Sequence, residues 1–129
     1  MAKLQTFTQQ YGGWLRQNRL RARRRGLRVD IQLSELHRVY DKYAGKCGYC
    51  DQPSEYFDFA FPLVNKAPCI IANVLPCCEK CKIIKGHRSI IDIYKSGIID
   101  MNRLHRLLGD MTTRKGNGYI REYLRQQLL

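Results

Sequence analysis

The sequence predicts a mixed α+β fold in which a small ββα core with two cysteine knuckles is flanked by α-helices. Two C-x-x-C pairs, Cys47–Cys50 and Cys78–Cys81, bracket the centre of the chain. Between them lie an aromatic-rich stretch and a second apolar stretch, which predict strands. On either side, apolar residues recur at helical spacing. These patterns divide the 129 residues into a basic N-terminal arm or helix (1–29), a core with its lead-in helix (30–90) and C-terminal helices (91–129).

The two cysteine pairs predict one structural zinc ion. A two-residue spacer lets both thiolates of a pair face one ion, and four thiolates complete a closed tetrahedral shell without an open position. Two disulfides are the alternative, but no stretch resembles a signal peptide, and a cytoplasmic location favours metal. A thioredoxin-like motif is disfavoured because no βαβ pattern surrounds the pairs. Cys69 and Cys77 are expected as small buried apolar residues, although Cys77 neighbours Cys78 and could compete for zinc.

The net charge indicates a polyanionic partner. The formal charge is +12 and the isoelectric point is about 9.7. Four thiolates around a divalent cation would lower the charge to about +10. No apolar run approaches the ~20 residues of a membrane span. Nucleic acid is therefore the expected partner, rather than a membrane.

The N-terminal segment is the most basic part of the chain. Residues 1–29 contain no acidic residue and carry seven arginines: Arg16, Arg19, Arg21, Arg23, Arg24, Arg25 and Arg28. The run Trp14–Gly26 predicts a helix bounded by Gly12-Gly13 and by Gly26. Arginine suits phosphate because its guanidinium bonds two oxygens at once. A solvated, disordered tail is the alternative. An apolar stripe at helical spacing predicts core packing rather than base stacking: Phe7, Tyr11, Trp14 and Leu15.

The central segment predicts a lead-in helix and then a strand–strand–helix order. Apolar residues at helical spacing place the lead-in helix at about Leu33–Tyr43, ended by Gly45. Aromatic content predicts a strand at Glu55–Phe61. A second apolar stretch follows at Ile70–Leu75, and a short helix is expected over Cys78–Gly86.

These residues carry a family resemblance. The order Cys47-x-x-Cys50, Asp58, Pro62-Leu63, Asn73, Cys78-x-x-Cys81 and Lys85-Gly86 resembles the HNH endonuclease family in its zinc-stapled ββα-metal form. The resemblance covers about residues 20–90 and implies a bacterial cell, or one infected by phage, as the setting. In that family an aspartate holds a divalent metal, a histidine is the general base, a central asparagine orients the histidine loop, and an asparagine or histidine on the helix is the second metal ligand. By position Asp58 and Asn73 match the first and third roles, whereas the base falls on Phe59 and the helix ligand on Lys82.

The two departures predict that the nuclease reaction is lost. Phe59 cannot accept a proton, and general base catalysis typically contributes 10²–10⁴-fold. Lys82 cannot ligate a cation while protonated and would repel Mg²⁺. Lys82 is expected either to meet a DNA phosphate directly or to pair with Asp58. His87 and the more distant His105 are candidate replacement bases, but the helix end before His87 is expected to point away from Asp58.

Three helices are predicted in the C-terminal third. Ser89 caps one through Tyr94 or Lys95, Asp100 caps Met101–Leu108, and the last spans Tyr119–Leu128. Their apolar faces either cover the core or dock a protein partner.

The leading interpretation is an HNH-like zinc protein without nuclease activity that binds nucleic acid, with DNA favoured over RNA. The seven arginines are its expected contacts, together with Lys82 and Lys85. Two alternatives stay open: an active HNH endonuclease with a relocated general base, and a regulatory protein that docks on a nucleic-acid enzyme.

Overall fold

The computed structural model describes the backbone of residues 4–128 and the side chains of residues 6–127. Residues 1–3 of the predicted basic segment lie outside this range. Within it the fold is α+β, and the helices are α1 Leu4–Arg24, α2 Leu33–Lys42, α3 Glu79–Lys85, α4 Ile90–Lys95, α5 Met101–Met111 and α6 Asn117–Leu128. The strands are β1 Val29–Asp30, β2 Tyr56–Phe59, β3 Cys69–Ile70 and β4 Val74–Cys77.

The centre of the fold has the predicted strand–strand–helix order. Strands β2 and β4 pair antiparallel, with Tyr56 opposite Cys77 and Phe59 opposite Val74, and α3 follows directly. Strands β1 and β3 form a second, parallel pair. The predicted second strand at 70–75 is divided, because a short 3-10 turn at Ile71–Asn73 separates β3 from β4.

Helix α1 is an integral part of the fold and not a detached arm. It begins well before the predicted start at Trp14 and continues through Gly12 and Gly13. Its buried side chains include Phe7, Tyr11 and Leu15, which pack with residues of α2 and β2. Aromatic burial of this kind outweighs the cost of about 1 kcal/mol for each internal glycine. Core packing of these three residues is thus confirmed, whereas the helix boundary predicted at Gly12-Gly13 is wrong.

Helices α4, α5 and α6 cover the ββα core. Two predicted caps are present: the Ser89 hydroxyl accepts from the Asp92 backbone N–H, and the Asp100 carboxylate accepts from that of Arg103. The inward side chains of α5 and α6 are buried in the same cluster as the knuckle cysteines. They are Leu104, Leu107, Met111, Ile120 and Tyr123. These side chains pack within the chain, and docking of a protein partner through the C-terminal helices stays a prediction.

Candidate metal centre and neighbouring cleft

The four predicted zinc ligands come together at one point. The Sγ atoms of Cys47, Cys50, Cys78 and Cys81 all lie within 4.8 Å of one another, and those of Cys50 and Cys78 are 3.5 Å apart. Tetrahedral zinc with Zn–S bonds of about 2.3 Å separates its sulfurs by about 3.8 Å. All six cysteines are free thiols. The donor set therefore fits a structural zinc ion, and the disulfide alternative finds no support.

Backbone and side-chain contacts hold the two knuckles in place. The backbone N–H of Tyr49 donates to Cys47 Sγ, and that of Cys81 donates to Cys78 Sγ, each at 3.4 Å. From α5, Arg103 donates to the carbonyl oxygen of Gly48 at 2.9 Å and pairs with the Asp51 carboxylate. The first knuckle is thus fixed by the C-terminal helices as well as by its own turn.

The thiol chemistry of this cluster favours a cation. A hydrogen bond from Cys77, assisted by backbone N–H groups and opposed by burial, lowers the pKa of Cys47 to about 4. Burial and the neighbouring Cys47 charge raise the pKa of Cys81. Such crowded sulfurs ionise together only if a cation balances them. Cys77 is a buried neighbour of this cluster and not one of its four ligands, while burial raises the pKa of the distant Cys69 to about 11.

Lys85 supplies the buried cation that faces Asp58. Its Nζ lies 3.0 Å from Asp58 Oδ2 and donates to the carbonyl oxygen of Phe59 at 2.9 Å. The Tyr49 hydroxyl donates to the same carboxylate oxygen at 2.8 Å. The pKa of the Asp58 carboxyl is raised, because burial outweighs the opposing effect of the Lys85 charge and of the hydrogen bonds from Lys85 and Tyr49. Because the Lys85 side chain is only 2% exposed, the expectation that Lys85 contacts nucleic acid is wrong in this structure.

Lys82 lies on the exposed side of α3. Its ammonium group is 4.4 Å from the centre of the Tyr56 ring, in a cation–π contact. The ion pair that the sequence allowed between Lys82 and Asp58 is made by Lys85 instead. Since Lys82 is exposed, a contact with phosphate stays a prediction for this residue.

Phe59 contributes to the packing of α1. Its ring stacks on Trp14, with centroids 5.3 Å apart and planes inclined by 22°. Successive side chains of a strand point to opposite faces. Phe57 and Phe59 therefore face the aromatic cluster under α1, while Asp58 faces Tyr49 and α3. The position at which the resemblance implies a general base is thus occupied by a core ring.

Asn73 holds the loop that follows β2. It is fully buried, and its side-chain amide accepts from the Phe61 backbone N–H at 2.9 Å. It also donates to the carbonyl oxygens of Phe61 and Pro68, at 2.8 and 2.9 Å. These contacts join the segment that follows β2 to the residue that precedes β3.

A cleft of about 330 Å³ lies between α1, β2 and the end of α3. Its walls include Asp58, Lys82 and His87, with Arg21 on the α1 side. His87 is exposed, follows Gly86 at the end of α3 and lines the same cleft as Asp58, so its use as a base stays a prediction. His105 is exposed on α5. Among the described residues, no second group of three or more histidine, cysteine or acidic side chains is placed to hold a metal ion.

Six of the seven predicted arginine contacts are exposed. These are Arg16, Arg21, Arg23, Arg24, Arg25 and Arg28. Arg28 lies over the Tyr119 ring, 4.1 Å from its centre. Arg19 differs, because its guanidinium donates to the carbonyl oxygen of Ile31 at 3.0 Å and joins α1 to the start of α2. No helix in the described range has the length and apolar character needed to cross a bilayer.

Sequence reasoning missed the roles of Tyr49 and Lys85. One signal was present: Lys85 lies four residues after Cys81, so the two share a face of α3, and the predicted zinc ligand Cys81 must point inward.

No protein-family model, curated protein or solved structure matches this chain.

Proposed function

We propose that this chain is an HNH-like zinc module that binds nucleic acid and does not cleave it with a divalent metal. The observation that carries the proposal is the buried contact between Lys85 and Asp58. An ammonium group tied to α3 neutralises the carboxylate that the resemblance assigns to a metal. Metal-assisted hydrolysis requires a cation there to stabilise the charge that develops on phosphate.

The surroundings of Asp58 support the same conclusion. A divalent ion at Asp58 would meet the positive charges of Lys85 and, further out, of Lys82. Displacing Lys85 would leave its buried charge unpaired, which costs several kcal/mol. Phe59, packed against Trp14, offers no basic atom for a water molecule.

Exposed arginines on and just beyond α1 support the binding part of the proposal. They lie on an exposed surface of a chain with a formal charge of +12. Arginine pairs with phosphate through two parallel hydrogen bonds, and this interaction needs no particular base sequence. Binding is therefore expected to be tight at low salt and largely independent of sequence.

His87 favours a second candidate function, an active endonuclease with a relocated base. It lines the cleft that also contains Asp58. Imidazole is the commonest general base in enzymes. This candidate still lacks an assembled metal site among the described residues, so we rank it below the inactive module.

Nicking of supercoiled plasmid separates the two candidates. The zinc-loaded protein is incubated with plasmid and Mg²⁺, Mn²⁺ or Ni²⁺, beside Asp58→Asn and His87→Ala. We expect no nicking by any of the three. Nicking by the unmodified protein that is lost in both variants would establish the active endonuclease and overturn the inactive one.

A further inference from the structure

The exposed side of α1 presents arginines on two flanks of a central strip. At 3.6 residues per turn, Arg16 and Arg23 lie about 20° apart round the helix, and Arg21 lies about 140° from Arg16. Between these flanks the strip contains Gly13, Gln17, Leu20 and Arg24. All the side chains of this face from Arg16 to Arg24 are exposed. The helix thus offers positive charge on both edges, and the strip between them holds Arg24 beside the uncharged Gly13, Gln17 and Leu20.

We propose that α1 lies in the major groove of duplex DNA, an inference that rests on the proposed nucleic-acid binding. The major groove is about 12 Å wide and admits one α-helix. Arg16 and Arg23 then reach the phosphates of one strand, and Arg21 reaches those of the other. Gln17 and Leu20 face the floor of the groove, where glutamine can bond base edges and an apolar group can meet a thymine methyl.

The positions of the aromatic side chains favour a duplex over a single strand. Proteins that bind single strands stack bases on exposed aromatic rings. Phe7 and Tyr11 of α1 are buried, and Trp14 is stacked on Phe59. Tyr119 is exposed elsewhere, but Arg28 lies over its ring. Duplex RNA fits less well, because the major groove of A-form helices is too narrow and deep for side chains to enter.

An anionic membrane is the weaker partner for the same face. Interfacial helices insert an exposed apolar face between lipids. The apolar face of α1 packs inside the chain, and Leu20 is its exposed large hydrophobic residue among the described side chains.

Gly12 and Gly13, near the middle of α1, are consistent with a close approach of the DNA to the helix backbone. A β-carbon built on Gly13 would meet only the flexible end of Arg16, at 4.0 Å, and one on Gly12 only a Thr8 methyl, at 3.8 Å. Packing inside the chain therefore does not require glycine at either position. Each glycine costs about 1 kcal/mol in a helix interior. A bare stretch of backbone lets a partner approach more closely than a side chain would.

Fluorescence anisotropy with four probes tests the partner class. The probes are a mixed-sequence DNA duplex, its single strand, the matching RNA duplex and phosphatidylserine vesicles at equal salt. We expect the DNA duplex to bind at least about tenfold tighter than the others and the protein to displace methyl green, a major-groove dye. Equal binding of all three nucleic acids would overturn the groove placement of α1 but not nucleic-acid binding itself. Duplex binding that leaves the dye in place would have the same meaning. Preference for vesicles, or no nucleic-acid binding at all, would overturn both proposals.

A pair of matched variants tests the placement of α1. Gln17→Glu puts a negative charge on the central strip, while Gln127→Glu makes the same change on an exposed glutamine of α6. We expect the first to weaken duplex binding by about tenfold and the second by less than about twofold. Circular dichroism confirms that both remain folded. Equal losses in the two variants would show that net charge alone governs binding, and the groove placement would be wrong.

Discussion

The ammonium group of Lys85 lies 3.0 Å from Oδ2 of Asp58, and the same Nζ is 2.9 Å from the carbonyl oxygen of Phe59. Oxygens of these two kinds also ligate hard divalent cations. Here the two oxygens contact the ammonium group of a side chain on α3. The Lys85–Asp58 pair is therefore expected both to stabilise the ββα core and to neutralise the carboxylate that lines the cleft.

Removal of the Lys85 charge is expected to destabilise the fold strongly. Lys85→Met leaves the Asp58 carboxylate buried without its partner, and we expect a loss of about 3–5 kcal/mol in the free energy of unfolding. The matched change Lys82→Met, on the exposed side of α3, should cost less than about 1 kcal/mol. Urea unfolding measures both.

The double variant Asp58→Asn/Lys85→Met is the control for that prediction. It removes both charges, so we expect it to recover much of the stability lost in Lys85→Met. Equal destabilisation by Lys82→Met and Lys85→Met would contradict the buried pair.

Zinc content is expected to be one ion per chain. Cys78→Ser removes one of four thiolates from the cluster, so the purified variant should lose most of its zinc and unfold more readily. Cys69→Ser changes a buried cysteine outside that group, packed with residues of α1 and α2, and should keep the ion. Elemental analysis with thermal unfolding tests this. Full zinc in the Cys78→Ser protein would rule out the assigned ligands.

Salt dependence should identify the exposed arginines as the nucleic-acid contacts. If about six phosphates are neutralised, log K for duplex DNA falls against log salt with a slope near −5. Deleting residues 1–28 would remove the buried Phe7, Tyr11 and Leu15, so substitution is the sharper test. We expect glutamine at five exposed positions to bring the slope to about −1, because about one phosphate contact remains: Arg16, Arg21, Arg23, Arg24 and Arg25. Glutamine at four exposed cations elsewhere should alter it far less: Lys66, Lys95, Arg106 and Arg121. A slope changed equally by both sets would refute the role of α1.

Asp110 gives a pH-dependent contribution to stability. Burial acts to raise its pKa, but hydrogen bonds from Lys42, Tyr43 and Arg114 lower it to about 2. A carboxyl with a depressed pKa stabilises the fold above its unfolded value of 3.8 and loses that contribution as the pH falls toward the folded value. Relative to Asp110→Asn, the unmodified protein should be more stable by about 1–2 kcal/mol at neutral pH, allowing for solvent screening. This advantage should shrink between about pH 5 and pH 2. A difference that does not vary with pH in urea unfolding would contradict the prediction.

Features set by short spacings could be predicted from the sequence, whereas features set by tertiary packing could not. The two C-x-x-C pairs, the caps at Ser89 and Asp100, and α2 depend on neighbours within a few residues. The partner of Asp58 depends on how α3 packs against β2, and the four-residue spacing from Cys81 to Lys85 was the one local signal that Lys85, rather than Lys82, faces inward. The start of α1 was missed because glycine propensity predicted a boundary that aromatic burial overrides. We also expect the double variant Phe59→His/Lys82→Asn to show no metal-dependent nicking, since Lys85 would still neutralise Asp58 and position 59 faces α1.

Binding of Mn²⁺ to the zinc-loaded protein tests most directly whether Lys85 excludes a divalent ion from Asp58. Electron paramagnetic resonance measures free Mn²⁺ during a titration, with Asp58→Asn as the control that keeps the shape of the side chain. We expect the two proteins to give the same titration curve, because the carboxylate is already neutralised. A saturable site with one Mn²⁺ per chain that disappears in Asp58→Asn would contradict this, since it would show that Asp58 holds a metal despite Lys85.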